Sequence, residues 1–314
     1  MDTSFRTPYR PHSSAPIDLH KPVLMIGSCF TDNVGGQLRR RMVNVSHNPA
    51  GTLFNPQSIC NVLNAALDGI MPEYEDHGGL WNSWLLPGEF SSPDRDQAVR
   101  LGSGALARLA EYARTAGTLI VTFGTAIVYA LARPPFDVVS NCHKQPSATF
   151  FRDLLTVETI TAAWDALITR LRSVNPSLRI IFTVSPVLHL KEGFHANAVS
   201  KSVLLLAVDR IASLHADCEY FPAYEIFSYD LRDYRFYADD MQHPSPAAVA
   251  YIYALFEQTY IAPDDRKTLD RALNLRQRTE HRPLHPGTEA ARRFADETAA
   301  LLRDFLSRHP HLLP

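Results

Sequence analysis

Two residues with nucleophilic side chains follow an apolar run near the start of the sequence. The run begins at Pro22 and stops at Gly27, and Ser28 and Cys29 come next. Such a run predicts a buried strand, and the residues after it are expected to begin a helix. Main-chain N–H groups and the positive end of the helix dipole lower the pKa of a thiol there, and the thiolate is the reactive form. The pattern predicts a nucleophile at Ser28 or Cys29, with an ordinary strand and turn as the alternative.

A carboxylate and an imidazole lie close together near the end of the apolar part of the chain. Asp240 and His243 are three residues apart in YADDMQHPSP (237–246). One loop or helical turn can present both side chains, so Asp240 can orient the ring of His243 as a general base. Pro244 and Pro246 are compatible with the start of a following helix. The spacing alone is a weak signal, and an exposed loop histidine is the alternative.

A glycine in HNPAGTLFNP (47–56) supplies a third candidate group. Gly51 would let the main chain approach a ligand and aim an N–H at a developing oxyanion. Taken alone, it is also explained as a turn glycine.

Five short apolar or β-branched segments alternate with helical patterns and would position these groups. Nearly continuous apolar runs are typical of parallel strands that are covered on both faces. The predicted strands are PVLMIG (22–27), MVNVSHN (42–48), TLIVTFG (118–124), LRIIFTVSP (178–186) and CEYFPAY (218–224), and the predicted helices are 33–41, 56–67, 98–116, 156–173 and 198–215. The alternation predicts a doubly wound, three-layer α/β fold with ligands beyond the carboxyl ends of its strands.

Two further segments depart from this alternation. Residues 70–97 are rich in Gly, Pro, Trp and acidic side chains, which is typical either of a lid or of a packed loop anchored by Trp81 and Trp84. From about Ala262 the sequence is charged, with a helical pattern over 287–308. We therefore predict an α/β domain over residues 1–261 and a helical extension over 262–314. The extension would pack on the core or on a second subunit.

Composition excludes several classes of function. Lys and Arg total 31 against 33 Asp and Glu, a net charge of −2, which argues against nucleic acid or an anionic membrane as a partner. The N-terminal residues 1–16 have no signal-peptide pattern and no apolar run has membrane-spanning length, so a cytoplasmic protein is expected. Four scattered cysteines predict free thiols. Neither a metal nor an organic cofactor is indicated.

Seven blocks in order give the chain a resemblance to a known family. They are GSCFT (27–31), NPAGTLFNP (48–56), TFGTAIVY (122–129), NCHK (141–144), TVSPVLHLKEG (183–193), NAVSK (197–201) and DDMQH (239–243). Together they resemble the GSCFA branch of the SGNH or GDSL hydrolase superfamily. The resemblance implies a flavodoxin-like α/β/α sandwich with strand order 2-1-3-4-5.

The resemblance also implies roles for particular residues. GSCFT laid on the superfamily's first block places Cys29 at the nucleophile, and a slip of one residue would place Ser28 there instead. The superfamily's oxyanion-binding Asn would fall at Ala126. Thr125, or Asn141 or His143 in the NCHK loop, are the candidate replacements. An unreplaced donor of this kind typically costs roughly 100- to 1000-fold in rate.

The function implied by these blocks is acyl transfer through a covalent acyl-enzyme on Cys29, with His243 and Asp240 completing a triad. Water as acceptor gives an esterase, and a sugar or amine gives an acyltransferase; small esters or O-acylated carbohydrates are the implied substrates. Ser28 as nucleophile and a non-catalytic glycan- or protein-binding module remain alternatives, as does a homo-oligomer formed through the C-terminal helices. His189, Lys191 and Asn197 are expected at the rim of the site. His189 and His195 lack a convincing third ligand for zinc.

Overall fold

A central parallel sheet organises the chain in a computed structural model that describes residues 9–313. Its strands are β1 (Val23–Gly27), β2 (Val45–His47), β5 (Thr118–Phe123), β8 (Arg179–Val184) and β9 (Cys218–Phe221), in the order β2-β1-β5-β8-β9. All neighbours are parallel, and Val23 lies opposite both Val45 and Thr118. Counted among themselves in chain order, these strands have the order 2-1-3-4-5. The predicted sheet is confirmed.

The remaining elements are helices and two short antiparallel pairs. The pairs are β3 (Glu75–Asp76) with β4 (Trp81–Asn82), and β6 (Ile127–Leu131) with β7 (Phe150–Leu154). The helices are α1 (Cys29–Arg40), α2 (Pro56–Asp68), α3 (Arg95–Thr115), α4 (Val157–Val174), α5 (Gly193–Leu214), α6 (Ala223–Glu225), α7 (Pro246–Tyr260), α8 (Pro263–Glu280) and α9 (Glu289–Arg308).

The strands are apolar along their whole length because both faces of the sheet are covered. Leu24 and Ile26 of β1 face a cluster with α2, α3, α4 and α5. Val23 and Met25 face the opposite cluster, which contains residues of α1, α7 and α8. Alternate side chains of a strand point to opposite faces, so one uninterrupted apolar run supplies both cores. This is the three-layer sandwich that the runs predicted.

The loops after the strands meet at one edge of the sheet, because parallel strands end on the same side. The loop after β2 crosses this edge: Leu53 N–H donates to Gly27 O at 3.0 Å, and Phe54 O accepts from Gly124 N–H at 2.7 Å. Ser185 N–H donates to Phe123 O at 2.8 Å, which ties the end of β8 to that of β5. These bonds hold together the loops that carry the candidate site.

Residues 70–97 form a packed loop rather than a free lid. Ser140 N–H donates to Trp84 O at 2.8 Å, and Leu86 and Phe90 are buried. The Trp84 ring packs against His143 and Phe150. These contacts favour the interpretation in which tryptophan anchors the segment.

The C-terminal helices pack on the same chain. Leu269 and Ala272 of α8 and Phe305 of α9 are buried in the cluster that contains α1 and α7. The helix predicted over 287–308 is observed as α9. The domain boundary at residue 261 stays a prediction.

The N-terminal segment 1–16 was expected to have no signal-peptide pattern. Its first half, residues 1–8, lies outside the described residues. Within residues 9–313, every helix is too short or too polar to cross a bilayer.

Gly27 allows β1 to approach β5 closely. Its φ is +144°, and a Cβ there would collide with the main chain of Thr122. We expect Gly27→Ala to lower the free energy of unfolding by on the order of 3 kcal/mol, since both strain and overpacking oppose it. Urea denaturation measures this change. The matched control is Gly36→Ala in the same region, where an added Cβ meets nothing within 4 Å; it should stabilise α1 by about 0.5–1 kcal/mol. Equal effects of the two substitutions would contradict this role for Gly27.

Candidate active site

Ser28 and Cys29 occupy different positions at the turn between β1 and α1. Ser28 is fully buried and caps α1, with its Oγ accepting the N–H of Phe30 at 3.3 Å. Its own N–H donates to Thr122 O at 3.2 Å. Cys29 is the first helical residue and is partly exposed. Cys29 is therefore more accessible to solvent than Ser28.

The pKa of Cys29 differs in direction from the sequence-based expectation. Burial raises the pKa of the thiol, and the Asp32 carboxylate raises it further. The N–H groups of Cys29 and Phe30 and the charge of Lys201 lower it, but they do not offset the two raising effects. The helix N-terminus acts as expected, and burial outweighs it.

Asp32 links α1 to the loop after β2. Its Oδ1 accepts from Asn48 Nδ2 at 2.8 Å and faces His47 Nδ1 at 3.2 Å, and its Oδ2 accepts from Thr52 Oγ1 at 3.3 Å. Asn48 Oδ1 in turn accepts the Gly27 N–H at 2.8 Å. This network holds the loop beside the turn that carries Ser28 and Cys29, and the sequence analysis did not identify it. The available signal was Asn48 and Thr52 inside the matched block 48–56, with Asp32 directly after the block 27–31.

Gly51 does not have the free N–H that was predicted for it. The N–H of Gly51 donates to Asn48 O at 2.9 Å within a turn. Its φ is +79°, and an added Cβ would collide with Glu89 and Pro87 of the 70–97 segment. Glycine is needed here for the turn and for close packing, and the oxyanion role of Gly51 stays a prediction.

The hydroxyl of Thr125 takes part in a local network. Thr125 Oγ1 lies 3.0 Å from Ser200 Oγ and accepts the Ile127 N–H at 3.1 Å. Ser200 Oγ also accepts the N–H of Ala126 at 2.8 Å, and Ala126 is buried. Thr125 therefore fastens the end of β5 to α5. Its assignment as an oxyanion donor stays a prediction.

Asn141 and His143 stabilise the loop that holds the 70–97 segment. Asn141 Oδ1 accepts the N–H of His143 at 2.7 Å, and His143 Nε2 lies 2.8 Å from Ser83 O. Burial lowers the pKa of His143, which favours the neutral ring. These bonds give both residues a structural role, and a role in binding the oxyanion stays a prediction.

Asp240 and His243 form the acid and imidazole pair that their spacing suggested. His243 Nδ1 lies 2.6 Å from Asp240 Oδ2, while Asp240 Oδ1 accepts the N–H groups of His243 and Gln242 at 2.9 Å each. Those two N–H groups and the ring of His243 lower the pKa of Asp240 to about 2. The carboxylate is therefore ionised near neutral pH and fixes the ring, leaving Nε2 as the nitrogen for proton transfer.

The loop that carries His243 is attached to the loop after β8. Leu188 N–H donates to Gln242 O at 3.0 Å, and the next residue is His189. Asn197 Oδ1 accepts the N–H of His189 at 2.9 Å, so Asn197 orders this rim. Lys191, the third predicted rim residue, donates to the hydroxyl of Tyr129 at 3.0 Å.

His189 lies near both the turn that carries Cys29 and the loop that carries His243. Its Nε2 is buried and has no hydrogen-bond partner among the described residues, and it faces Gly124. Burial lowers the pKa of His189 to about 4, and the charges of Lys201 and His243 act in the same direction. His189 is therefore a neutral imidazole near pH 7.

Lys201 is a functional candidate that the sequence analysis missed. It lies on α5, is 1% exposed, and its Nζ donates to Gly124 O and Ser185 O at 2.7 Å each. Its charge acts on both Cys29 and His189. The available signal was its helical spacing from Asn197, Leu204 and Val208, which places the lysine on the buried face.

The candidate site therefore consists of the turn that carries Ser28 and Cys29 and of the pair Asp240 and His243, with the charge of Lys201 acting on Cys29 and His189 and the charge of His243 acting on His189. No hydrogen bond connects Cys29 Sγ with His243 in the part of the chain that the structure describes. A reaction that uses both would require His243 to approach the sulfur when substrate is bound; catalytic hydrogen bonds are often long before substrate binds.

The difference between Ser28 and Cys29 gives a direct prediction. Ser28→Ala removes the side-chain cap of α1, and we expect a loss of about 1 kcal/mol in the free energy of unfolding. Activity on a short p-nitrophenyl ester should remain within a few-fold of wild type, because the Cys29 sulfur is retained. Thermal denaturation and initial rates measure the two effects. Loss of ester turnover in a folded Ser28→Ala variant would instead favour the hydroxyl.

Comparison with known proteins defines the family. The structure is an α/β sandwich with Ser28 and Cys29 at the turn after β1 and an acid and imidazole pair before α7, and residues 22–256 match the GSCFA family. The match covers most of the chain, so the protein belongs to the GSCFA family. No curated protein matches the sequence.

Several solved structures are similar at low sequence identity. A carbohydrate esterase of family 3 from Talaromyces cellulolyticus is 8% identical with a TM-score of 0.36, and the match covers 80% of this chain and 99% of that one. A family two carbohydrate esterase from Clostridium thermocellum, solved with cellohexaose, is 13% identical with a TM-score of 0.39 over 78% and 65% of the two chains. An acetyl xylan esterase (Est2A) from Butyrivibrio proteoclasticus is 12% identical with a TM-score of 0.37 over 84% and 65%.

Proposed function

We propose that this protein hydrolyses esters by an SGNH-type mechanism through an acyl-enzyme on Cys29. The observation that carries the proposal is the combination of a partly exposed thiol at the first position of α1 with a histidine that a carboxylate holds at 2.6 Å. A nucleophile, an imidazole base and a group that orients the base are the parts that acyl transfer requires.

In the first half of the reaction, His243 Nε2 takes the proton of Cys29, and the thiolate attacks the ester carbonyl carbon. Asp240 remains ionised and stabilises the imidazolium. The main-chain N–H of Cys29, which lies against the sulfur, is the donor we assign to the oxyanion. When the C–O bond breaks, His243 protonates the departing alcohol and a thioester remains on Cys29.

In the second half, water gives its proton to His243 and attacks the thioester. The carboxylic acid leaves, and the Cys29 thiolate takes its proton back from the imidazolium, so the enzyme is regenerated. A sugar or amine that replaces water gives acyl transfer with the same proton movements. Small esters and O-acylated carbohydrates are the substrates that the sequence resemblance implies.

Pre-steady-state kinetics with p-nitrophenyl acetate test this proposal. We expect a burst of p-nitrophenolate stoichiometric with the protein, followed by slower turnover as the thioester hydrolyses. Cys142→Ala, which removes the other partly exposed thiol, serves as the control and should keep the burst. The proposal is contradicted if the protein shows neither burst nor turnover. If it then binds a glycan, and this binding survives Cys29→Ala and His243→Ala, the protein is a binding module instead.

A further inference from the structure

A fully buried lysine without a carboxylate partner needs a physical explanation. Lys201 points inward from α5 together with Leu204 and Val208. An ammonium group taken out of water costs several kcal/mol unless another charge and good hydrogen bonds offset that cost. No salt bridge to a carboxylate is found for Lys201 within residues 9–313.

Main-chain carbonyl groups satisfy part of this requirement. Gly124 O and Ser185 O lie just beyond the carboxyl ends of β5 and β8, and each accepts from Lys201 Nζ at 2.7 Å. The ring of Tyr224 lies 5.8 Å from Nζ. An ammonium has three N–H donors, so one N–H remains beyond these two bonds. Neither carbonyl supplies a full negative charge.

The turn that carries Ser28 and Cys29 lies next to this buried ammonium. Gly124 packs against the side chain of Ser28: a Cβ added to Gly124 would lie 3.4 Å from Ser28 Cβ. Cys29 is the following residue, and its thiolate is the anionic group whose charge acts on Lys201. Burial lowers the pKa of Lys201 to about 7, and the Cys29 thiolate opposes that change.

We propose that Lys201 is a positioning residue for Cys29: its ammonium, held by the carbonyl groups of Gly124 and Ser185, stabilises the thiolate of Cys29. The inference rests on the proposed function only in taking Cys29 as the nucleophile. Burial disfavours a thiolate alone and an ammonium alone. A thiol with an amine has the same net charge as a thiolate with an ammonium, so the two groups ionise at lower cost together than separately.

A purely structural lysine would explain the two hydrogen bonds but not this coupling. If Lys201 only ties β5 to β8, its removal destabilises the fold and leaves the ionisation of Cys29 unchanged. If it supports the thiolate, its removal changes the pH at which Cys29 becomes reactive. The pH profile of Cys29 therefore separates the two roles.

The first experiment measures thiolate formation at Cys29 in wild type and in Lys201→Met. The probes are thiolate ultraviolet absorbance, as the difference from Cys29→Ala, and the rate of iodoacetamide alkylation followed by peptide mass spectrometry. We expect the ionisation midpoint of Cys29 to rise by about one pH unit or more in Lys201→Met, and alkylation near pH 7 to slow about tenfold. Lys267→Met, which removes an exposed lysine of α8, should leave both unchanged. An unchanged profile in folded Lys201→Met overturns the proposal.

The reciprocal experiment does not depend on the folding of Lys201→Met. Coupling between two sites is mutual, so Cys29→Ala should lower the pKa of Lys201, measured by NMR of 15N-labelled lysine Nζ. This variant keeps both carbonyl acceptors. An identical Lys201 titration in wild type and Cys29→Ala overturns the proposal. Neither experiment uses an ester, so the pairing and the proposed function are tested separately. If the pair is coupled but Cys29→Ala still turns over ester, the proposed function is refuted and the pairing stands.

Discussion

Cys29→Ala is expected to reduce ester turnover by about 10⁴-fold or more, because it removes the atom that forms the acyl-enzyme. The loss should appear in kcat with little change in stability, since the Ser28 cap and the Asp32 network do not use the sulfur. Initial rates on p-nitrophenyl acetate and urea denaturation measure the two quantities.

Two variants control this result. Cys142→Ala removes a thiol of similar exposure and should keep wild-type rates. Cys29→Ser tests the chemistry of the atom: a hydroxyl at the same position depends more on the base than a thiol does, so we expect a rate well below wild type and above Cys29→Ala. Turnover near wild type in Cys29→Ala would show that another group is the nucleophile.

His243→Ala is expected to lower kcat by about 100- to 10,000-fold, the range associated with loss of a positioned general base. The side chain of His243 is about half exposed, so the space it leaves remains open to solvent. Added imidazole should restore part of the activity, because a free base can then occupy that space. Rates measured with and without imidazole test this expectation.

The matched control is His285→Ala, which changes an exposed histidine between α8 and α9. It should have wild-type rates and no response to imidazole. The account of the base is contradicted if folded His243→Ala keeps wild-type kcat. Loss of activity with an unchanged Cys29 burst would instead show that His243 acts only in the release of the acyl group.

The elements that the sequence predicted well are those with strong local signals. The apolar runs from residue 22 and from residue 118 became β1 and β5 because a run without alternation suits a strand covered on both faces. The pair of Asp240 and His243 formed because three residues of separation within one loop bring the side chains together. The helix expected directly after Gly27 is observed as α1, which Ser28 caps and Cys29 begins, four residues before the predicted helical range 33–41.

The parts that sequence reasoning missed depend on tertiary packing. The pKa of Cys29 is raised because burial, which no local pattern reports, outweighs the helix N-terminus. The N–H of Gly51 is occupied by Asn48, a pairing that only the turn geometry reveals. A lysine on a helix usually lies on the solvated face. Lys201 is buried because α5 packs beside the ends of β5 and β8, where the carbonyl groups of Gly124 and Ser185 accept its hydrogen bonds.

The central claim, that Cys29 carries the acyl group, is tested most directly by intact-protein mass spectrometry after exposure to an activated ester. Peptide mapping of the adduct should follow, with Ser28→Ala and Cys29→Ala treated alongside wild type. The account predicts one acyl group on Cys29 in wild type and in Ser28→Ala, and none in Cys29→Ala. An acyl group on Ser28, or an adduct that persists in Cys29→Ala, would contradict it.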